Sequence, residues 1–163
     1  MKGLVYVYTG EGKGKTTAAI GSALRAMGHG KRAVIIQFLK KGEYGEKKES
    51  MLEIHQFGRE QFVFEPEAID HELAKEAIAF TEKILEEQPF LLILDEVNVA
   101  VSMGIIDAGD VINLIEKRGE TNIILTGRDA PPSFVELADL VTEMKKIKHP
   151  FDKGIGGRKG LEY

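Results

Sequence analysis

Three observations predict an α/β fold, a mainly parallel sheet in a three-layer arrangement with helices on both faces. Short apolar runs rich in β-formers alternate along the chain with segments of helical spacing. Those runs are continuously apolar, as strands covered on both faces are. A glycine-rich turn joins the first run to the first helical segment. The 163 residues carry no internal repeat, low-complexity tract or linker, so a single domain spanning 1–163 is expected.

The elements follow in order. Leu4–Tyr8, bounded by Gly3 and Gly10, reads as a buried strand. Thr16–Met27 has Ile20, Leu24 and Met27 at helical spacing, with Gly28-His29-Gly30 as a stop. Ala33–Phe38 is a second strand, and the charged stretch Lys40–Ser50 a loop with room for one helical turn. Leu52–Phe57 reads as a third strand. Ala68–Gln88 is the clearest helix, with Leu73, Ala77, Phe80 and Ile84 on one stripe and Pro89 ending it. Phe90–Leu94 is a central strand closing on Asp95-Glu96. Asp107 caps a helix through Val111, Leu114 and Ile115, with Lys117 and Arg118 at its C-terminal end and Gly119 just after. Asn122–Leu125 is a strand. Ser133 and Glu136 have capping-box spacing for a short helix, and Leu140–Met144 is a last strand. The tail from Lys145 has no periodicity.

Composition narrows the function classes. At 43% hydrophobic and 29% charged residues the chain has material for a core, which excludes a wholly disordered protein. It has no cysteine, so disulfide scaffolds, thiolate metal sites and cysteine nucleophiles are excluded. A net charge of −4 gives no basic footprint for nucleic acid. Apolar stretches such as Phe90–Leu94 fall far short of the roughly 18 residues of a membrane span. No signal-like segment precedes the first strand, so a soluble cytoplasmic protein is expected.

The strongest motif is Gly10-Glu11-Gly12-Lys13-Gly14-Lys15-Thr16-Thr17, between strand and helix. Glycines let such a loop curl so that its N–H groups converge on phosphate oxygens, and the helix N-terminus adds positive potential. Lys15 supplies a full charge, and the Thr16 hydroxyl suits Mg²⁺. The usual pattern is G-x-x-x-x-G-K-[ST]. Its first glycine falls here on Thr9, so Gly10 comes one residue late and the loop is shortened. Asp95-Glu96 ends an apolar strand, as a Walker B pair does. Ligands bind beyond the carboxyl ends of such strands, which places both carboxylates near the loop, where one holds Mg²⁺ directly or through water. Arg128, after the next strand, reaches the same edge, either as a phosphate contact or as a surface ion pair.

Together these motifs resemble the P-loop type of ATP:corrinoid (cob(I)alamin) adenosyltransferase. The resemblance covers TGEGKGKTTAAIG (Thr9–Gly21), ALRAMGHGK (Ala23–Lys31), the stretch Val34–Gly42, LDEVN (Leu94–Asn98), TGR (Thr126–Arg128) and the tail KHPFDKGIGGRKGLEY (Lys148–Tyr163). It implies a RecA-like P-loop fold, a homodimer, and transfer of the 5′-deoxyadenosyl group of ATP to Co(I) with triphosphate leaving. It also implies that the nucleotide lies reversed in the shortened loop. The substrates would be ATP and cobalamin or a precursor corrinoid, with Mg²⁺ (or Mn²⁺) as cofactor and an electron donor for Co(II).

Carried over onto this chain, Thr9, Gly10, Glu11, Gly12, Lys13, Gly14, Lys15, Thr16 and Thr17 would hold ATP, joined by Arg25 on the first helix. Thr16 and Glu96 would bind metal, with Asp95 as the alternative. Lys15, Glu96 and Arg128 would be the catalytic residues, Lys15 and Arg128 stabilising the departing triphosphate and Glu96 acting through the metal. Phe62 and Phe64 match the family's aromatic pair near the corrin; alternating strand residues facing one core would look the same. Glu11 stands where Asn or Asp is common. Two other readings fit the P-loop alone: an NTPase or kinase cleaving the γ-phosphate, and a non-catalytic ATP-binding module.

Overall fold

The computed structural model describes residues 1–42, 45–48, 51–61 and 63–161, with the backbone alone for 47 and 48. Six strands form one sheet: β1 (Val5–Thr9), β2 (Ala33–Phe38), β3 (Glu53–Phe57), β4 (Leu91–Asp95), β5 (Asn122–Thr126) and β6 (Leu140–Glu143). Their order is β3-β2-β4-β5-β1-β6, and every neighbouring pair is parallel. The helices are α1 (Lys15–Gly28), α2 (Ala68–Glu86), α3 (Val97–Ser102), α4 (Ala108–Glu116) and α5 (Pro132–Leu137). Short 3₁₀ turns occupy Gly45–Lys48 and Pro150–Lys153.

Two cores flank the sheet. On one face α1 presents Ala19, Ala23 and Ala26 to Ala33, Ile35, Leu91, Ile93 and Ile124. The small side chains let this helix lie close to the strands, which fixes where its N-terminus meets the sheet edge. On the other face Val5, Val7, Val34, Ile36, Leu92, Leu94, Ile123 and Leu125 pack against α2 to α5. Each fully buried aliphatic side chain contributes about 2 kcal/mol of transfer free energy. All of β4 is buried, which explains the unbroken apolar run Leu91–Leu94 before Asp95. The result is the three-layer, RecA-like α/β fold that the sequence predicts.

The helix over Ala68 is confirmed, and its start is braced. Asp70 accepts the Glu67 N–H at 2.9 Å in a reciprocal capping box, while Arg59 donates twice to the Asp70 carboxylate at 2.8 and 2.7 Å. This pins the connection between β3 and α2 to the helix. Asp107 caps α4 as expected, accepting the Gly109 N–H at 2.7 Å.

Two local expectations change. Ser133 and Glu136 do not form a capping box: Pro131 is the N-cap of α5, and Pro132 takes the first helical position. A proline there has a fixed helical φ and no N–H to leave unsatisfied. The helix α3 directly after Glu96 was not foreseen. Its sequence, VNVAVS, is rich in β-branched residues, and it is held by burial of Val97, Asn98 and Ala100.

Since all strands run one way, their C-terminal ends share one edge. The loops after β1, β2, β3, β4, β5 and β6 therefore meet there, and this is where the chemistry-bearing residues converge.

Candidate active site

The phosphate loop leaves β1 at Thr9 and enters α1 through Gly14, its N-cap. It is braced by the end of β6: Met144 donates its N–H to the Thr9 carbonyl at 2.8 Å, and Gly12 donates to the Met144 carbonyl. Gly10 has φ +96°, and a Cβ there would lie 2.5 Å from the Met144 oxygen, so only glycine fits. Lys15 folds back over the loop, donating to the carbonyls of Gly10 (2.7 Å) and Gly12 (2.8 Å). Burial, then the nearby Arg128 charge, lowers its pKa against the pull of Glu96, Glu11 and Asp129. The Thr9 hydroxyl accepts from Ala130 N–H at 3.2 Å, and Thr17 lies exposed in the first turn of α1.

Asp95 is the hub of the site. It is fully buried, and both carboxylate oxygens are used. Oδ1 accepts the hydroxyls of Thr16 (2.7 Å) and Thr126 (2.6 Å). Oδ2 accepts Lys40 Nζ (2.8 Å) and the Gln37 amide (3.1 Å). Burial alone would raise its pKa; the Lys40 charge and the hydrogen bonds from Lys40, Thr126 and Thr16 outweigh it and hold it below the ordinary value. Glu96 differs. It turns out of the strand at φ +62°, in the left-handed region, with its N–H donated to Thr126 Oγ1 at 3.0 Å. Its pKa is raised, chiefly by burial and further by Asp95, although Lys40, Lys15 and Arg128 oppose the shift. A non-glycine residue held at this φ is a local cost that aims the carboxylate at the cleft, which Glu96 lines together with Lys15.

Arg128 is exposed at the rim, 3.7 Å from Glu11 Oε2. Glu11 thus points across the loop toward a guanidinium. Such a surface pair is weakly held, so an incoming phosphate can take the arginine over.

The cleft over the loop has a volume of about 860 Å³. Its second wall comes from the β3–α2 connection and the C-terminal tail, with Phe64, Lys146, His149 and Phe151 among the lining residues. Phe64 is 85% exposed, and the described residues around it are not strand, so it is not one of a strand's core-facing pair. Phe62 lies outside the described residues. Lys13 donates to the Leu161 carbonyl at 2.7 Å, tying the tail to the phosphate loop. His149 Nδ1 accepts the Phe151 N–H at 3.2 Å and caps the 3₁₀ turn.

The structure thus gathers the loop residues, Asp95, Glu96, Arg128 and Phe64 at one edge. It does not gather Arg25, which sits exposed in the last turn of α1. Ten residues of helix separate it from Lys15, a rise of about 15 Å.

Lys40, Gln37 and Thr126 were not singled out from sequence as hub residues. One signal was available: Gln37 is a polar residue inside the apolar strand AVIIQF, and buried amides need partners. Lys40 is positioned by two backbone features. Leu39 turns the chain at φ +59°, and Gly58 lies so close that a Cβ would fall 2.2 Å from the Lys40 nitrogen. Gly58→Ala is expected to shift this turn and to lower stability by about 1–3 kcal/mol, checked by denaturant unfolding.

A phosphate loop after the first strand, facing an acidic strand one position removed across β5, makes this a RecA-like P-loop nucleotide-binding protein. The Thr16-to-Asp95 hydrogen bond ties the start of the helix after the loop to the end of that acidic strand. More particularly, the chain belongs to the ATP:corrinoid adenosyltransferase family: the model for ATP:corrinoid adenosyltransferase BtuR/CobO/CobP matches residues 1–163. A corrinoid adenosyltransferase of Sinorhizobium sp is 37% identical over 175 residues, covering 99% of this chain and 81% of that protein. Corrinoid adenosyltransferase CobA of Salmonella typhimurium is 35% identical, covering 99% of this chain and 86% of its own length. The corrinoid adenosyltransferase of Escherichia coli K12 is 32% identical with the same coverage. The protein is a transferase whose substrates are ATP and a corrinoid.

Proposed function

We propose that the protein transfers the 5′-deoxyadenosyl group of ATP to Co(I) of cobalamin or a precursor corrinoid. The Co–C5′ bond forms as the C5′–O5′ bond breaks, and its electron pair leaves on triphosphate. The observation that carries this reading is one edge that joins a shortened phosphate loop to a broad cleft with an aromatic second wall. In the reversed pose the loop grips the leaving group while C5′ faces the cleft. The nucleophile carries no proton, so no general base is required. What is required is positioning and stabilisation of departing negative charge. Lys15, the N–H groups of the loop and of Thr17, Lys13 and Arg128 supply it.

The oxygens near the loop suit a hard divalent cation such as Mg²⁺ or Mn²⁺. Thr16 gives its proton to Asp95, so Oγ1 turns its lone pairs toward positive charge, with Lys40 Nζ 3.5 Å away, and Glu96 offers a carboxylate at the cleft. Asp95, with both oxygens already occupied, is assigned the role of orienting Thr16. Bound there, the cation adds positive charge beside the triphosphate. We assign Phe64 to the corrin side of the cleft. Arg25, in the last turn of α1, is assigned no phosphate contact within one subunit. A homodimer in the cytoplasm, served by a separate electron donor, completes the reading; the described residues contain no helix long and apolar enough to cross a membrane.

The test is anaerobic incubation with ATP, Mg²⁺ and chemically reduced cob(I)alamin. A light-sensitive alkylcorrinoid spectrum is expected; an unchanged corrinoid would refute the reading. Phe64→Ala is expected to slow assays started from Co(II) more than assays started from Co(I). The aromatic acts on the corrin before reduction and not on the triphosphate. Equal losses in the two assays would assign Phe64 a general packing role instead.

A further inference from the structure

Lys40 is a mostly buried cation, its side chain 18% exposed, at the centre of an oxygen set. Its Nζ lies 2.8 Å from Asp95 Oδ2, 3.5 Å from Thr16 Oγ1 and 3.8 Å from Glu96 Oε1. Thr16 Oγ1 and Glu96 Oε1 are the oxygens that the proposed metal site draws on, and Asp95 orients Thr16, so the inference rests on that reading. The placement costs something. A lysine side chain gives up water and rotamer freedom to lie there, and Leu39 adopts a left-handed backbone to deliver it. The cost is offset because Lys40 lies within ion-pair distance of two carboxylates, Asp95 and Glu96, and neutralises part of their charge. Gln37 and Gln56 extend the arrangement: Gln56 donates to Gln37 at 2.9 Å, and Gln37 donates to the same Asp95 oxygen that Lys40 holds.

We propose that Lys40 is a tethered cation that stands in the metal position of the nucleotide-free enzyme and yields it when metal arrives with ATP. One positive charge bonded to Asp95 Oδ2 and close to Thr16 and Glu96 leaves little attraction for a divalent ion alone. The triphosphate changes this, since it adds several negative charges to the same cleft. Lys40 also lines that cleft with Lys15 and Arg128, so the displaced ammonium remains where the triphosphate is received. Metal and nucleotide therefore enter together, and metal without ATP binds weakly. Lys40 is a positioning residue for the loaded site.

The experiment measures Mn²⁺ alone, by EPR of the free ion, against the full chain without nucleotide. If Lys40 fills the site nine-tenths of the time or more, removing it raises apparent affinity about tenfold or more. Lys40→Met is expected to show that gain, and Thr16→Val in the same background to abolish it. Equal Mn²⁺ affinity in wild type and Lys40→Met would overturn the proposal. Should Lys40→Met fail to fold, Lys40→Gln keeps a donor for Asp95 without the charge. It is expected to shift affinity the same way, and no shift would again overturn the proposal. The metal site itself is read separately, from the bound Mn²⁺ spectrum of wild type with ATP. If that signal depends on Thr16 while Lys40→Met shows no gain, Lys40's role alone fails. If it does not depend on Thr16, both readings fail.

Discussion

Lys15→Ala is expected to reduce adenosyl transfer by about 10²–10³-fold or more, the scale of losing one preorganised charge donor at a developing anion. In the free protein the Lys15 ammonium is held by the Gly10 and Gly12 carbonyls at the mouth of the loop. It is only partly desolvated and already points where the phosphates would sit. Its charge is worth more in the transition state than in the ground state, because the leaving triphosphate gains charge as C5′–O5′ breaks. Both kcat and kcat/KM for ATP should therefore fall. A thermal melt close to that of wild type would separate this from loop collapse. Unimpaired turnover would remove the phosphate-loop assignment.

The second large effect is on stability. Asp95→Ala leaves Lys40 buried without its main counter-charge and strips the acceptor from Thr16, Thr126 and Gln37. Breaking a buried pair by removing one partner costs about 3–5 kcal/mol. For a domain of this size that lowers Tm by on the order of 10 °C. Asp95→Asn keeps the volume and one acceptor and should cost less. The pH dependence has a definite sign. The folded-state pKa of Asp95 lies below its ordinary 3.8, so its stabilisation is complete above that value. It is lost as pH falls through the lower folded-state pKa. Wild type should lose this increment on acidification below about pH 4, and Asp95→Asn should lack it.

Much of the architecture was legible because local pattern and burial agree. β2 runs Ala33–Phe38 as read, since both of its faces are covered and its apolar run has sharp ends. The long amphipathic helix and the Asp107 cap were legible for the same reason. The phosphate loop and Asp95-Glu96 announced themselves through residue types that their chemistry demands at strand ends.

What escaped depends on contacts distant in sequence. Lys40 looked like one charge in a charged loop, and only the pairing of β2 with β4 brings it to Asp95. α3 escaped because tertiary burial overrides the weak helical propensity of its valines. The α5 capping box was misread because a Ser–Glu spacing is common, whereas the two prolines before it fix the helix start more strongly. Arg25 was carried over by resemblance. Its position ten residues along α1 removes it from the loop by plain helix geometry.

In the proposed reaction the shortened loop holds the whole triphosphate as a leaving group and does not present the γ-phosphate for cleavage. The most direct measurement is ³¹P NMR of the phosphate product after anaerobic turnover with ATP, Mg²⁺ and cob(I)alamin. The expected product is inorganic triphosphate, stoichiometric with adenosylated corrinoid. ADP and inorganic phosphate, with the corrinoid unchanged, would contradict it and mark the site as that of an ordinary P-loop NTPase.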